Sequence, residues 1–596
     1  MEFQPASRIV RVFIFILFSL VAALILTPFI SNILCPSSHD MTNHIVGVIQ
    51  ARMGLEEGQF PLRIARYHDW RYPLFQFYSP SAYMLGGWIY EWLTPWNPYV
   101  AEKILLWIFL LLGETYIYRL AFELLGSRRA AILAAVAYVL MPYNLLTLNY
   151  IGSFNEVLAM GIIPAVLYYT FRRYDNPDDT STLLKMSLAW YLLITIHLVT
   201  FVLSSFYVGL LLFFATCKNR RWMKLIDAGV AYAFACFLAM WYLAPIALLH
   251  DFFSVGRSFN VNVFYDLYHV TAAQLFSLCG SITAGKKSVD GGVSILSQVH
   301  PNLGIVMLFA VALCSWLFFK KLCTHAKKYF KNDFDFWLGP LLLVFFIGFF
   351  LVWSPFNFWL WLPKSFYIFQ YTWRMLGQLM WIGALLFAAS LCVLFQYKLD
   401  GQHTFVGVIL LMIIAVCWFP TGKKGYANFE KKINNSFYHF NNDYLLDTRK
   451  SFAPLQMHYD NQNLPEKIPA LYVASKPVID PTKTLSMEQM LSHCSQQKTT
   501  TLCQVDVPAI VNLVQLPVLE YPGMLKISVN GIAVPYKGMP YRDLNITAIT
   551  PESGKNNVIR IQFNGMDWAN ELSLISWGVW FLYCGVLFVK RKKTQS

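Results

Sequence analysis

The chain has 596 residues, of which 57% are hydrophobic, 17% aromatic and only 13% charged, a balance that excludes an ordinary soluble globular domain. Its formal net charge is +14, but the basic residues form short clusters at the ends of apolar runs instead of one basic aromatic domain, which excludes nucleic-acid binding. Apolar runs of about 18 or more residues recur without alternation, so the backbone must be satisfied inside helices and a membrane barrel is excluded too. The expected fold is mainly α, a polytopic membrane helix bundle of about 12 spans with a β-rich extracytoplasmic C-terminal domain.

In chain order, the first run, "IVRVFIFILFSLVAALILTPFI", follows Arg8 and is too long for the apolar core of a cleaved signal, so it reads as a retained anchor. The clusters "GSRRA", "FRRY", "CKNRRWMK", "KKLCTHAKKYFK" and the terminal "KRKK" mark cytoplasmic ends, which places both termini inside. The stretch from Leu183 to Thr216 then makes two crossings and turns near His197 at the outer face. This topology divides the chain into a transmembrane domain over 1–420 with outer loops at 32–100 and 251–300, an outer domain over 421–571, and a final span with a basic tail over 572–596.

The outer domain carries short alternating runs, "AIVNLVQLPVLEY", "MLKISVNGIAVPY" and "NNVIRIQFNG", which predict strands of a small sandwich or jelly roll. Asn530-Gly531 predicts a tight hairpin turn. Cys494 and Cys503 flank "SQQKTTTL" and can form a disulfide if their compartment is oxidising. The chain has no P-loop, Rossmann glycine fingerprint, HExxH motif or GxSxG elbow.

Several polar residues stand out against this apolar background. In "SSHDMTNH", Asp40 and His44 are four apart and share a helix face beside His39. Such a group is either a capped helix start or a base or metal-binding carboxylate with neighbouring histidines. The same loop interleaves Arg63, Arg66 and Arg71 with aromatics, including Tyr78, a composition that suits an interface belt and, through the arginines, phosphate or carboxylate groups. Asn155 and Glu156 stand where an outer turn enters the fourth span, and a carboxylate there needs a cavity or a partner. His197 is either a satisfied polar contact or a ligand. Lys364 and Arg374 lie on the outer side of an aromatic segment, where an arginine at a helix start suits an anion. Glu114 and Arg119, five apart inside one span, can form a structural pair.

The ordered set "SHDMTNH", "FPLRI", "YPLFQFYSPSAYMLG", "GSFNEVLAMGIIP" and "FQYTWRMLG" resembles the bacterial 6-pyruvoyl-tetrahydropterin synthase-related membrane proteins, themselves similar to the GT-C glycosyltransferase superfamily. The resemblance implies an enzyme of the bacterial inner membrane that transfers a sugar from a polyprenyl-phosphate donor to a glycan, lipid or protein acceptor at the outer face. By the same resemblance Asp40 is the acidic residue of the first outer loop, with a divalent metal such as Mg or Mn as its companion in related enzymes. Arg374 then meets the donor phosphate, with Thr372 standing where the family motif has proline. Two further readings remain from the residues alone, a transporter or flippase for a lipid-linked glycan and a non-catalytic envelope assembly protein.

Overall fold

The computed structural model describes residues 8–26, 41–65, 73–249, 270–277, 301–324, 330, 334–363, 366, 371–396, 481–486, 489–490, 492–497, 500–541 and 544–595. The helices run in order as α1 (Arg8–Ile25), α2 (Met41–Glu56), α3 (Leu74–Phe77), α4 (Pro80–Trp92), α5 (Pro98–Leu125), α6 (Arg128–Leu140) and α7 (Pro142–Leu146). They continue as α8 (Phe154–Asp175), α9 (Thr180–Ile196), α10 (Leu198–Asn219), α11 (Trp222–Leu238), α12 (Met240–Leu248) and α13 (Ala272–Leu275). The last four are α14 (Ile305–Thr324), α15 (Phe334–Trp353), α16 (Leu376–Gln396) and α17 (Asp567–Gln595).

Nine helical stretches among the described residues are long and apolar enough to cross a membrane. The pair α11 and α12, bent by 83°, makes up to ten, and α9 is a shorter apolar helix. The apolar run over 405–420, part of the expected set of about twelve spans, lies outside the described residues. Local chemistry sets the helix ends. Asn97 accepts from the backbone N–H groups of Tyr99 and Val100 to open α5, and Gly126 closes it in the left-handed conformation at φ 70°. The stretch expected to cross twice forms α9 and α10, which break at His197, and of the two only α10 is long enough by itself to cross.

Three helices contain an interior proline, each of which leaves the carbonyl four residues earlier without its helical donor. In hydrocarbon that carbonyl needs a substitute. Each one has it from another helix. Pro164 of α8 leaves Met160 O to the Tyr138 hydroxyl at 2.7 Å. Pro245 of α12 leaves Trp241 O to Gln76 Nε2 at 2.9 Å, and Pro340 of α15 leaves Phe336 O to Lys218 Nζ at 2.9 Å. The α11/α12 bend is closed from the last helix, where Ser573 Oγ accepts from Trp241 N at 2.8 Å and donates to Phe237 O at 3.2 Å.

The C-terminal region is a two-sheet structure. Strands β1 (Thr484–Leu485), β4 (Leu513–Leu519), β8 (Leu544–Ile549) and β7 (Tyr536–Tyr541) form one sheet in that order. Strands β2 (Cys494–Gln497), β3 (Thr500–Val507), β9 (Gly554–Phe563), β5 (Leu525–Val529) and β6 (Ile532–Ala533) form the other. Only the β1/β4 pair is parallel. Inward residues of both sheets, Val505, Leu516, Ile527, Ile546 and Ile561 among them, share one buried core, as alternating strands packed face to face require. The expected hairpin joins β5 to β6 through Asn530 and Gly531, at φ 52° and 85°. A disulfide joins Cys494 and Cys503, which face one another across β2 and β3. The region is fastened to the bundle by Lys526 Nζ on Asp567 Oδ2 at 2.9 Å and by stacking of Phe77 on Tyr521. Residues 421–480, expected to belong with it, lie outside the described residues.

Candidate functional site

Helix α2 packs closely on α4 because glycines line their contact. A Cβ on Gly87 would lie 2.8 Å from the Arg52 backbone nitrogen, and one on Gly47 would meet the Tyr83 ring. This close approach turns His44 inward, buried, with Nδ1 2.8 Å from the Tyr83 hydroxyl. The same hydroxyl accepts from Asn155 Nδ2 at 3.2 Å. One phenol thus ties α2 and α4 to the start of α8. Asp40 and His39 immediately precede α2 and lie outside the described residues.

Between α6 and α8 the chain is irregular. Helix α6 ends at Leu140, α7 spans five residues, a π-helical turn covers Thr147–Ile151, and Gly152 turns at φ 67° before α8 begins. The offset brings Tyr143 beside the first turn of α8, where its hydroxyl donates to Glu156 Oε1 at 2.6 Å. The other carboxylate oxygen, Oε2, lies 3.8 Å from Nε of Arg374, which sits in a 3₁₀ turn (Thr372–Met375) leading into α16. These side chains are 4% and 14% exposed, so the ion pair is nearly dry. Trp373 packs against the Tyr143 ring at 6.1 Å, and Gly377 leaves room for that ring, since a Cβ there would lie 3.1 Å from it.

His197 enters from the α9/α10 break, with Nδ1 2.7 Å from Thr200 Oγ1. Burial first, and then electrostatic repulsion from Arg374 and His44, holds its imidazole well below the ordinary range. A hydroxyl bond from Ser81 to Thr195 at 2.8 Å ties the same break to α4.

Three polar atoms at this cluster are buried without a hydrogen-bond partner among the described residues: Asn155 Oδ1, Thr372 Oγ1 and Trp373 Nε1. Each unmet buried group costs about 1 to 3 kcal/mol, and such atoms mark places where a ligand or water completes the network. The arrangement combines a guanidinium, a carboxylate, two imidazoles and unmet donors and acceptors in a nearly dry setting. It can grip an anion and orient a hydroxyl-bearing molecule.

The structure therefore brings together His44, Asn155, Glu156, His197 and Arg374 from four stretches of chain. Tyr78 is at the margin, 41% exposed, its ring 6.1 Å from that of Tyr83. Arg66, Arg71 and Lys364 lie outside the described residues. Arg63, whose sequence setting suits phosphate or carboxylate, has both terminal nitrogens on neutral amide oxygens. Its Nη1 bonds Gln76 Oε1, its Nη2 donates to Asn570 Oδ1 at 2.6 Å, and its guanidinium lies over the Trp241 ring at 5.1 Å. Burial pushes it down to about 10. Arg63 joins the first loop to the last helix. Nor do Glu114 and Arg119 pair. Residues five apart on a helix are offset by about 140°, so Glu114 is buried with neither oxygen hydrogen-bonded among the described residues while Arg119 lies over Tyr116. Among the described residues no three His, Cys, Asp or Glu side chains are grouped to hold a metal ion, and Asp40, the proposed ligand, is not among those residues.

Sequence reasoning missed Tyr83, Tyr143, Thr200 and Trp373. Two of these lie inside quoted motifs, "YSPSAYMLG" and "YTWRMLG", but a tyrosine among 33 carries no signal of its own.

Residues 75–286 match the family described as the 6-pyruvoyl-tetrahydropterin synthase related domain, a membrane protein. The matched stretch contains Asn155, Glu156 and His197 and excludes the motifs around Asp40 and Arg374. No curated protein matches the chain. Among solved structures the chain is similar to the arabinofuranosyltransferase AftD from Mycobacteria, at 15% identity and TM-score 0.39, covering 69% of this chain and 27% of that one. It is also similar to ArnT from Cupriavidus metallidurans bound to undecaprenyl phosphate, at 15% identity and TM-score 0.38, covering 72% and 67%. A third is the Archaeoglobus fulgidus oligosaccharyltransferase in its apo form, at 10% identity and TM-score 0.42, covering 80% and 62%. The chain thus spans about a quarter of the length of the first of these and about two thirds of the other two.

Proposed function

We propose that this chain is an integral membrane glycosyltransferase that moves a sugar from a polyprenyl-phosphate donor to a glycan, lipid or protein acceptor at the extracytoplasmic face of a bacterial inner membrane. The observation that carries the reading is the buried meeting of Arg374 and Glu156 with His44, Asn155 and His197. Buried ionisable groups inside a membrane bundle are costly and mark ligand pathways. The motif resemblance supplies the reaction.

In this reading the acceptor oxygen bonds to the anomeric carbon as the bond from that carbon to the phosphate oxygen breaks. The leaving polyprenyl phosphate keeps the electron pair, and Arg374 meets its charge with bonds stronger than those of a neutral donor. The acceptor proton passes to a carboxylate, for which Asp40, four residues before His44 in the sequence, is the candidate. A divalent metal at Asp40 would supply further charge stabilisation. Tyr83 holds His44 and Asn155 in register, so this part of the cluster is rigid.

The test is transfer from a panel of labelled polyprenyl-phosphate sugars by the purified protein in liposomes, with Asp40→Asn and Arg374→Gln alongside. Asp40→Asn should fold normally, since Asn also caps helices, and lose at least about a hundredfold in rate. Movement of lipid-linked glycan between leaflets, with no transfer from any donor, refutes the enzyme and favours a flippase.

A further inference from the structure

Glu156 is held unequally. Its Oε1 receives a short bond from Tyr143, 2.6 Å, whereas Arg374 Nε stands 3.8 Å from Oε2, beyond the length of a direct charge-assisted hydrogen bond of about 2.7 to 2.9 Å. Tyr143 is fully buried between its neighbours, with Trp373 on its ring and Gly377 giving that ring its place, so its hydroxyl has a fixed position. Arg374 belongs to a single 3₁₀ turn, retains 14% exposure, and has its guanidinium 5.2 Å from the Tyr371 ring. The tyrosine thus meets the carboxylate at hydrogen-bond length and Arg374 Nε at ion-pair distance.

We infer that the carboxylate of Glu156 and the phosphate of a polyprenyl phosphate compete for Arg374, and that Tyr143 keeps Glu156 in place when Arg374 turns to the phosphate. This rests on the reading that Arg374 receives the donor phosphate. Two anions at one guanidinium share a single positive charge and repel each other. A nearly dry Arg–Glu pair is neutral as a whole, and an arriving phosphate adds a negative charge beside a carboxylate, which opposes binding. The exchange therefore makes lipid-phosphate binding weaker than a free arginine would allow. In return the carboxylate charge of Glu156, no longer paired with Arg374 once the phosphate is seated, serves an incoming hydroxyl as a hydrogen-bond acceptor. Resting charge is covered, and the acceptor side is completed by the donor.

Two substitutions with opposite expected signs test this. The measurement is equilibrium binding of undecaprenyl phosphate to the detergent-solubilised full chain, with undecaprenol as the uncharged control and melting temperature recorded for each variant. Glu156→Gln removes the competing charge while keeping size, and should bind undecaprenyl phosphate about tenfold more tightly, with undecaprenol binding unchanged. Tyr143→Phe removes the anchor, lets Glu156 follow Arg374, and should weaken lipid-phosphate binding. Glu156→Asp keeps the charge and should stay weaker than Glu156→Gln. Unchanged or weaker binding by Glu156→Gln, with Arg374→Gln still losing affinity, overturns the exchange and leaves the donor-phosphate reading standing. Equal binding by wild type and Arg374→Gln overturns that reading, and the exchange falls with it.

Discussion

Replacing Gly161 with alanine should loosen the contact that positions the site, although Gly161 is not part of it. Gly161 lies on α8, five residues beyond Glu156, and faces α5. A Cβ there would stand 2.3 Å from the carbonyl oxygen of Phe109, 2.8 Å from its carbonyl carbon and 2.9 Å from its Cβ. A carbon next to an oxygen ordinarily rests at about 3.3 to 3.6 Å, so the helices must separate by roughly 1 Å. Two of the three obstructing atoms are backbone and cannot swing away, which places the cost near the upper end of the overpacking range, about 3 kcal/mol. Alanine regains up to about 1 kcal/mol of helix propensity. Gly209 on α10 provides the matched control, because a Cβ there meets nothing within 4 Å. Gly209→Ala gains the same propensity without the clash, so the two variants should differ by about 3 kcal/mol. Denaturant unfolding in mixed micelles measures that difference directly. Displacing α8 should also lengthen the bond from Tyr143 to Glu156 and lower sugar transfer. Equal unfolding midpoints for the two variants refute the close-packing argument.

Arg63→Ala should cost about 3 kcal/mol or more, because charged hydrogen bonds to Gln76 and Asn570 are lost and buried amide oxygens are left unmet; faster proteolysis at the bundle end of α17 is the readout, and wild-type resistance rules the junction out. His197 gives a pH dependence. Its folded value lies below the ordinary 6.5, so below about 6.5 the unfolded chain takes up a proton that the folded one refuses. Stability should fall as pH drops from there toward the folded value, by up to about 1.4 kcal/mol per unit. His197→Gln should flatten that slope between pH 7.5 and 5.5, and parallel curves for the two proteins contradict the assignment. Tyr138→Phe should cost about 1 to 3 kcal/mol by leaving Met160 O without a donor beside Pro164, while Pro164→Ala should make the same tyrosine substitution nearly silent in a double-mutant cycle.

The elements that sequence made legible are those whose cause is local. Apolar length announces a span, and Asn530-Gly531 announces its own turn because both residues accept positive φ. His197 was legible as a break because one long apolar run had to turn between two basic ends. Glu156 and Arg374 were legible for the opposite reason: a charge on the edge of an apolar helix is expensive and so needs an explanation. Their partners were not legible. The bonds that define the cluster join residues 13, 39, 72 and 218 positions apart, distances at which no periodicity survives.

The same distinction separates the surroundings expected for Arg63 from those it has. An arginine among aromatics near a membrane surface satisfies the criteria for an anion ligand, and nothing within the loop argues otherwise. What engages it is Asn570, 507 residues away, and Gln76, which itself fills the carbonyl left open by Pro245. An interior proline announces which carbonyl will need help, since the defect lies four residues earlier in the same helix. It does not announce the helper. Tyr138, Gln76 and Lys218 were chosen by packing, and each sits on a different helix from the proline it serves. Arg63 and Arg374 therefore look alike in sequence and part company in space. Both are largely shielded from solvent, but Arg63 is held by neutral amides, whereas Arg374 faces a carboxylate with which, in the proposed exchange, an arriving phosphate competes. In the proposed reading, that difference in partner gives one arginine to assembly and the other to exchange.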